Sequence, residues 1–199
     1  MRKSILIIGG TGFLGYHVSN SLRKNFKIIS LSKKKPKKER YVKKVKYLNA
    51  DISKLNSLTK IKNKLNGINF VINFGGYVDH KNKKKVFESH YQGVKNLINF
   101  FSNKKIDIFI QIGSSMEYGK KKSPLSETNL SKPMSHYGNA KYKATLYSLK
   151  MFKEKKFPVV VLRLFQVYGP NQDDNRLIPY VITQSLKSKE FPCSSGKQL

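Results

Sequence analysis

The amino-acid sequence predicts an α/β fold in which a doubly wound parallel sheet carries helices on both faces. Short, almost unbroken apolar runs alternate along the chain with longer amphipathic stretches. That alternation is typical of strands that are buried on both faces and separated by helices. The 199 residues, of which 39% are hydrophobic, are enough for one domain with a core, and no repeat or linker divides them.

Six strands are predicted from apolar runs that are rich in isoleucine, valine and leucine. The fourth run ends at Gly75 and Gly76, which interrupt regular structure. The predicted strands are Ser4–Ile8, Lys27–Leu31, Val45–Leu48, Ile68–Phe74, Ile106–Ile112 and Val159–Leu164.

Five helices are predicted in the amphipathic stretches. In the first, Leu14, Val18 and Leu22 recur at helical spacing. Ser135 is the predicted N-cap of the longest helix, because its hydroxyl can accept a bond from the first turn. The predicted helices are Gly12–Arg23, Leu55–Leu65, Val86–Phe101, Ser135–Lys153 and Leu177–Lys187.

The charge is strongly unbalanced: 40 Lys and Arg residues against 11 Asp and Glu give a formal net charge of +29. Such a charge suggests nucleic acid or an anionic membrane surface as partners. Most of the cations are lysines, in runs that lie between hydrophobic segments rather than on one element. A lysine-rich composition on solvated loops and helix faces explains these runs more simply, so we predict no nucleic-acid partner.

Cysteine and histidine indicate neither a disulfide nor a metal centre. Cys193 is single, and the four histidines are scattered without a spacing typical of zinc. No apolar run approaches the ~20 residues that span a bilayer, so no membrane span is predicted. The apolar run near Met1 is interrupted by glycines and is followed by no cleavage site, which favours the cytoplasm.

A glycine-rich turn between the first strand and the first helix is the most informative motif. Gly9 allows a tight turn, Gly12 leaves room for a pyrophosphate at the helix N-terminus, and Gly15 lets helix and strand pack closely. This context favours dinucleotide binding over a turn without a ligand, and it makes the predicted fold Rossmann-like. The predicted cofactor residues here are Gly9, Thr11, Gly12, Phe13, Leu14 and Gly15.

The end of the second strand bears on the choice of cofactor. Dinucleotide-binding folds usually place an acidic residue there, which binds the ribose 2′-hydroxyl. This chain has Ser32 followed by Lys33, Lys34 and Lys35. Because a hydroxyl and cations suit a 2′-phosphate better, Ser32 and Lys33 are predicted cofactor residues, and NADP is preferred to NAD.

Tyr137 and Lys141 lie four residues apart in a predicted helix and hence on one of its faces. A phenol with a pKa near ~10 is a poor base at neutral pH. A lysine cation at about 4 Å contributes about 4 kcal/mol at an effective dielectric constant of 20, which would lower the phenol pKa by up to about 3. The pair is therefore a candidate general acid/base, and Ser114 at the fifth strand's end can orient a substrate oxygen.

Together these motifs resemble the extended short-chain dehydrogenase/reductases, the NAD(P)-dependent epimerase/dehydratase family that modifies nucleotide-activated sugars. The resemblance runs from the first strand to the end of the chain. It also rests on Asp51 and Ile52 after the third strand, on Ser114–Gly119, and on Arg163–Pro170. It implies a nucleotide-sugar epimerase or 4-ketoreductase that transfers a hydride between a sugar carbon and nicotinamide.

The resemblance implies a role for each residue. Tyr137 would be the acid/base, Ser114 would hydrogen-bond the reacting oxygen, and Lys141 would bind the nicotinamide ribose. Asp51 would accept a bond from the adenine amino group, and Ile52 would pack on the adenine ring. Further cofactor residues would be Phe74, Gly75 and Gly76, and substrate residues would be Ser115, Gln166 and Arg176. For the last two, a strand-end turn and a helix start remain the alternative.

Several positions depart from the family pattern. Ser115 and Met116 stand where dehydratases carry an Asp-Glu pair. Glu117 lies one residue after that position, where a helical turn at the strand end would direct its side chain differently. These departures disfavour a dehydratase, which remains an alternative. His90 stands where an asparagine is usual, and Gly75–Gly76 replaces an Ala-Ala run.

The chain is shorter than members of this family normally are. Residues 170–199 would be the start of the substrate-binding part, so the C-terminal substrate lobe is expected to be largely missing. A non-catalytic dinucleotide-binding module therefore stays an alternative, although such a module has no chemical need of the Tyr137/Lys141 pair. In the family, the helices Val86–Phe101 and Tyr137–Lys153 form the dimer interface, which implies a homodimer.

Overall fold

The computed structural model describes residues 2–129 and 131–195. The chain divides into two units, of which the first ends at Phe165 and the second begins at Gln166. The first unit contains the sheet and the helices packed on it. The described part of the second unit, residues 166–195, contains one helix. The terminal residues 196–199, where the predicted substrate-binding part would continue, lie outside the described residues.

Six parallel strands form one sheet. They are β1 (Ser4–Ile8), β2 (Lys27–Ser32), β3 (Lys46–Asn49), β4 (Phe70–Asn73), β5 (Ile108–Ser114) and β6 (Val159–Leu164). Their order across the sheet is β3-β2-β1-β4-β5-β6, so the chain starts in the middle and winds outward to each side in turn. The predicted doubly wound, Rossmann-like α/β fold is therefore confirmed.

The helices follow the predicted ones to within one or two residues, apart from two larger differences. They are α1 (Phe13–Leu22), α2 (Leu55–Thr59), α3 (Lys83–Phe87), α4 (Gly93–Phe101), α5 (His136–Lys155) and α6 (Leu177–Leu186). The second predicted helix stops early, at α2, and a separate 3₁₀ turn follows at Lys62–Leu65. The third begins at Lys83 and contains a π-helical turn, Glu88–Gln92, between α3 and α4.

The core lies on both faces of the sheet, because alternate residues of a strand point to opposite sides. Leu6 and Ile8 of β1 belong to a large cluster that also includes Leu97 of α4. Ile5 and Ile7 belong to a smaller cluster, against which α1 packs. Each fully buried side chain of this kind contributes about 1.5–3 kcal/mol to folding. The central strand is thus fixed from both sides.

The register of the strands brings the candidate functional residues to one edge. Ile8 at the end of β1 pairs with Leu31 of β2 and with Asn73 of β4. Asn73 pairs in turn with Gln111 of β5. Because all strands are parallel, the segments after β1, β2, β4 and β5 leave the sheet at the same carboxyl-terminal edge, where open α/β sheets bind their ligands.

Candidate functional site

The glycine turn joins β1 to α1 through contacts that exclude side chains. Gly9 has a φ of +74°, and its N–H donates to the Leu31 carbonyl at 2.8 Å. A Cβ on Gly15 would lie 2.3 Å from the Gly9 carbonyl oxygen. Gly9 is therefore needed for its backbone conformation, and Gly15 for the close packing of α1 on the turn.

Gly12 differs from these two glycines because its φ is negative and only one atom would crowd a side chain there. A Cβ on Gly12 would meet only the Gly9 carbonyl oxygen, at 3.2 Å. Gly12 is the N-cap of the ten-residue helix α1, it makes no side-chain cap, and no acidic residue lies in the first turn. Thr11, Phe13 and Leu14 flank it. A helix N-terminus of this kind attracts phosphate groups, so the turn fits the pyrophosphate of a dinucleotide.

Asp51 and Lys33 form an ion pair beside the ends of β2 and β3. Asp51 Oδ2 lies 2.8 Å from Lys33 Nζ, and Oδ1 accepts a bond from Ser53 Oγ at 2.6 Å. Burial raises the pKa of Asp51, but the bonds from Lys33 and Ser53 outweigh it and lower the pKa overall. Asp51 is thus an ionised acceptor, and the predicted phosphate-binding Lys33 is engaged by this carboxylate.

A cavity of about 330 Å³ lies next to this ion pair, and Lys34 and Lys35 are among its lining residues. Tyr41 and Tyr47, which also line it, stack with ring centroids 5.6 Å apart. Ser32 Oγ accepts a bond from Thr11 N at 3.3 Å and so ties the glycine turn to β2. The lysines that line this cavity are thus Lys34 and Lys35, the two cations that follow the predicted cofactor residue Lys33 in the sequence.

Hydrogen bonds to side chains of β4 and β5 hold the segment that follows β4. Gly75 N donates to Asn73 Oδ1 at 2.9 Å, and Asn73 Nδ2 donates to Gln111 Oε1 at 2.8 Å. A Cβ on Gly75 would lie 3.1 Å from Ile52 Cδ1. Ile52 is 7% exposed and belongs to the core, and Phe74 packs half-buried against the smaller cluster. Contact of Ile52 with an adenine ring stays a prediction.

Ser114 ends β5 and caps the 3₁₀ turn Ser115–Glu117 that follows it. Its hydroxyl accepts a bond from Met116 N at 3.2 Å, which leaves its own proton available to a ligand oxygen. Ser115 is half-buried and Met116 is exposed. A Cβ on Gly138 would lie 2.7 Å from the Met116 carbonyl oxygen, so the first turn of α5 rests on this 3₁₀ turn.

Glu117 points into the protein and joins three elements. Its carboxylate accepts bonds from Ser114 N at 2.8 Å, from Thr145 Oγ1 at 2.8 Å and from Arg163 Nε at 3.1 Å. The side chain is fully buried. Glu117 therefore supports β5, α5 and β6 from inside and does not face the open edge.

Tyr137 and Lys141 lie in the first turns of α5, next to the end of β5. Lys141 Nζ donates to the Ile112 carbonyl at 2.8 Å and lies 5.7 Å from the centroid of the Tyr137 ring. Burial lowers the pKa of Lys141 to about 8, and the nearby Glu117 carboxylate opposes that effect. Lys141 thus remains mostly protonated at neutral pH and holds a positive charge beside the phenol.

Two histidines that the sequence did not assign to the site flank Tyr137. His80 stacks on the ring with centroids 4.1 Å apart and an interplanar angle of 15°. His90 meets the same ring edge-on, at 4.9 Å and 88°. In the sequence, His90 stands out only because it replaces the usual asparagine, and no local pattern connects either histidine with Tyr137.

Gln166 and Arg176, the remaining predicted substrate residues, belong to the second unit. Gln166 is exposed, whereas Arg176 is half-buried and forms the N-cap of α6. The Arg176 N–H donates to the Asp173 carbonyl at 3.0 Å, which closes the turn before α6. The other predicted site residues all lie in the first unit, around the carboxyl-terminal edge of the sheet. Sugar binding by Gln166 and Arg176 stays a prediction.

Two structural features are lacking in the described part of the chain. Residues 2–129 and 131–195 contain no group of three or more His, Cys, Asp or Glu that could hold a metal ion. Over the same ranges, every helix is too short or too polar to cross a bilayer.

A family model described as the NAD dependent epimerase/dehydratase family matches residues 5–199. An ADP-L-glycero-D-manno-heptose-6-epimerase of Brachyspira hyodysenteriae is 28% identical over 180 residues, which cover 85% of this chain and 56% of the relative. Human dTDP-D-glucose 4,6-dehydratase is 26% identical over 201 residues, covering 91% of this chain and 56% of that protein.

Solved structures give the same result for the fold. The crystal structure of UDP-glucuronic acid 4-epimerase from Bacillus cereus in complex with NAD superposes with a TM-score of 0.81 and 27% identity. The match covers 94% of this chain and 63% of that one. The chain therefore spans less than two thirds of the length of each of these proteins.

Proposed function

Because the chain belongs to the NAD dependent epimerase/dehydratase family, we propose that it serves hydride transfer at a carbon of a nucleotide-sugar, as an epimerase or a 4-ketoreductase. The observation that carries this proposal is that Ser114, Tyr137 and Lys141 lie at the same sheet edge as the Gly12 turn, which no side chain caps. The names of the relatives include ADP-, dTDP- and UDP-linked sugars, which supports this substrate class.

Each side chain of the site has a different role in the proposed reaction. When bound, a nicotinamide dinucleotide supplies the carbon that accepts or donates the hydride. Tyr137 removes the proton of the reacting sugar hydroxyl when the sugar is oxidised and returns it when the sugar is reduced. The Lys141 cation stabilises the phenolate form of Tyr137. Ser114, whose hydroxyl proton is not used within the 3₁₀ turn, donates to the sugar oxygen. The N-terminus of α1 holds the pyrophosphate, and the Asp51 carboxylate accepts from the adenine amino group.

A dehydratase is the less favoured alternative. Elimination of water needs an acid and a base beside the sugar in addition to Tyr137. Ser115 and Met116 carry neither at neutral pH, and Glu117 is buried in its ion pair with Arg163. These contacts favour an epimerase or reductase.

The test is turnover of a panel of ADP-, dTDP- and UDP-sugars by the protein in the presence of NAD or NADP. Products are identified by NMR, and cofactor binding is measured in parallel by calorimetry. An epimerised or reduced sugar supports the proposal, and a 4-keto-6-deoxy sugar supports the dehydratase. Tight cofactor binding without turnover of any sugar would instead indicate a non-catalytic dinucleotide-binding module.

We further propose NADP as the preferred cofactor, because Lys34 and Lys35 line the cavity beside the ion-paired Asp51. Replacing both lysines with alanine is expected to weaken NADPH binding about tenfold, or about 1.4 kcal/mol, and NADH binding less than about twofold. Isothermal titration measures both affinities. Lys62→Ala/Lys64→Ala, which removes the same charge from an exposed turn elsewhere, is the control. NADH binding as tight as NADPH binding by the unmodified protein would overturn this choice.

A homodimer is proposed from an apolar stripe on α5. Leu146, Leu149 and Phe152 recur at helical spacing on this helix and are 45% to 50% exposed. Leu149→Glu is expected to convert dimers into monomers, because it places a charge in an apolar interface. Light scattering measures the mass, with Lys62→Glu as the control. A monomeric unmodified protein would contradict the proposal.

A further inference from the structure

The ring of His90 fills the space that a side chain at position 76 would need. A Cβ on Gly76 would lie 2.0 Å from His90 Cε1 and 2.7 Å from His90 Nδ1. Gly76 does not adopt a positive φ, so its backbone conformation does not require glycine. The requirement for glycine therefore comes from His90.

His90 cannot easily move away from Gly76, because it is held on several sides. It is 5% exposed, and its Nε2 lies 3.2 Å from Tyr77 N and 3.1 Å from the Tyr77 carbonyl oxygen. It also lies within the π-helical turn Glu88–Gln92, a local widening that is frequent at functional sites. The loop after β4 and the helix after it thus meet at this one ring.

The imidazole of His90 is electrically neutral. Its pKa is lowered to about 3, chiefly by burial and also by the Lys141 cation and His80, while the Tyr77 backbone opposes these effects. Its Nδ1 is buried and has no hydrogen-bond partner among the described residues. A buried polar atom without a partner is destabilising, so core packing alone does not account for an imidazole here.

Besides Gly76 and Tyr77, His90 contacts the ring of Tyr137 and, at a longer distance, the ring of His80. The His90 ring meets the phenol ring edge-on, whereas His80 lies on its face. The phenol is thus contacted from two directions by rings that come from the segment between β4 and α4. Small displacements of a reacting group lower rates strongly, so a fixed phenol favours turnover.

We propose that His90 is a positioning residue for Tyr137 and that Gly76 and His90 form a matched pair. His90 fixes the edge of the phenol ring, and the missing side chain at Gly76 gives His90 its room. The pairing is a property of the fold, whereas its effect on turnover rests on the proposed function. The experiments below therefore test the two separately.

The pairing is tested by thermal unfolding of Gly76→Ala, His90→Asn and the double variant. Gly76→Ala is expected to lower Tm by about 5 °C, because the methyl group overlaps the imidazole. In the His90→Asn background the same change is expected to lower Tm by less than about 2 °C, since the overlapping Cε1 is absent. An equal loss in both backgrounds would overturn the matched pair.

The positioning role is tested by NMR of proteins with labelled tyrosine, with the Tyr137 signals assigned from Tyr137→Phe. His90→Asn is expected to speed the flipping of the Tyr137 ring, whereas His136→Asn, at the exposed neighbour of Tyr137, leaves it unchanged. Unchanged ring signals in His90→Asn would overturn positioning, whether or not the protein turns over any sugar.

Turnover gives a second measurement of the same role. His90→Asn is expected to lower kcat about tenfold while KM and cofactor affinity change less than about twofold, because only the orientation of the phenol is affected. An unchanged kcat, or a loss confined to KM, would contradict the proposal. If the unmodified protein turns over no sugar, the proposed function fails, while the unfolding and NMR measurements still decide the present proposal.

Discussion

Tyr137→Phe is expected to lower sugar turnover by about 10²- to 10⁴-fold, while cofactor affinity stays within about twofold of its original value. The substitution removes only the phenol oxygen. The ring that contacts His80 and His90 remains, and so does the bond of Lys141 to the Ile112 carbonyl. The loss of turnover therefore measures proton transfer by the phenol and not a change in packing. Steady-state kinetics with the sugar identified in the panel, together with calorimetric cofactor binding, checks the prediction.

The matched control for this substitution is Tyr142→Phe. It makes the same chemical change on the same helix, at a half-buried tyrosine that has no place in the proposed chemistry. Its turnover and cofactor affinity are expected to equal those of the unmodified protein. If Tyr137→Phe kept full activity, Tyr137 would not be the acid/base, and the proposed mechanism would be wrong.

The strands show why the sequence predicts the fold but does not predict where each strand begins and ends. β1 and β6 have the predicted bounds, because each apolar run coincides with the length that its neighbour can pair. For β5 the apolar run begins at Ile106, yet pairing starts only at Ile108, opposite the first residue of β4. At the other end β6 extends the pairing to Ser114. A partner far along the chain sets such boundaries, so periodicity alone does not reveal them.

The candidate site likewise has features that the sequence predicts and features that it does not. The glycine turn and the Tyr137/Lys141 spacing are local patterns whose geometry follows from one strand, one turn and one helix. The Lys33–Asp51 ion pair and the two histidines around Tyr137 join segments that are distant in sequence. The lysine-rich composition also makes the ion pair hard to predict, because one lysine among so many gives no signal. Only the folded sheet edge brings these residues together.

Glu117→Gln is expected to lower the free energy of unfolding by about 3–5 kcal/mol, because it leaves a largely buried cation without its carboxylate. The Arg163 side chain is only 12% exposed, and its Nη1 is buried without a partner among the described residues. An amide fills the same volume, and its oxygen can still accept the Ser114 bond. Its NH₂ group then stands in place of the oxygen that Thr145 and Arg163 contact, so the loss reports the charge together with that acceptor. Urea unfolding measures it, provided that both proteins unfold in one transition.

Glu154→Gln is the control for Glu117→Gln, because it also removes a carboxylate from an ion pair, here with Lys150 at 3.9 Å on the surface of α5. That change is expected to cost less than about 0.5 kcal/mol, since exposed pairs of this spacing contribute little. Glu117→Gln/Arg163→Met, which removes both charges, is expected to be less destabilised than Glu117→Gln alone. If Glu117→Gln cost no more than Glu154→Gln, the buried pair would not be what joins β5, α5 and β6 beneath Ser114.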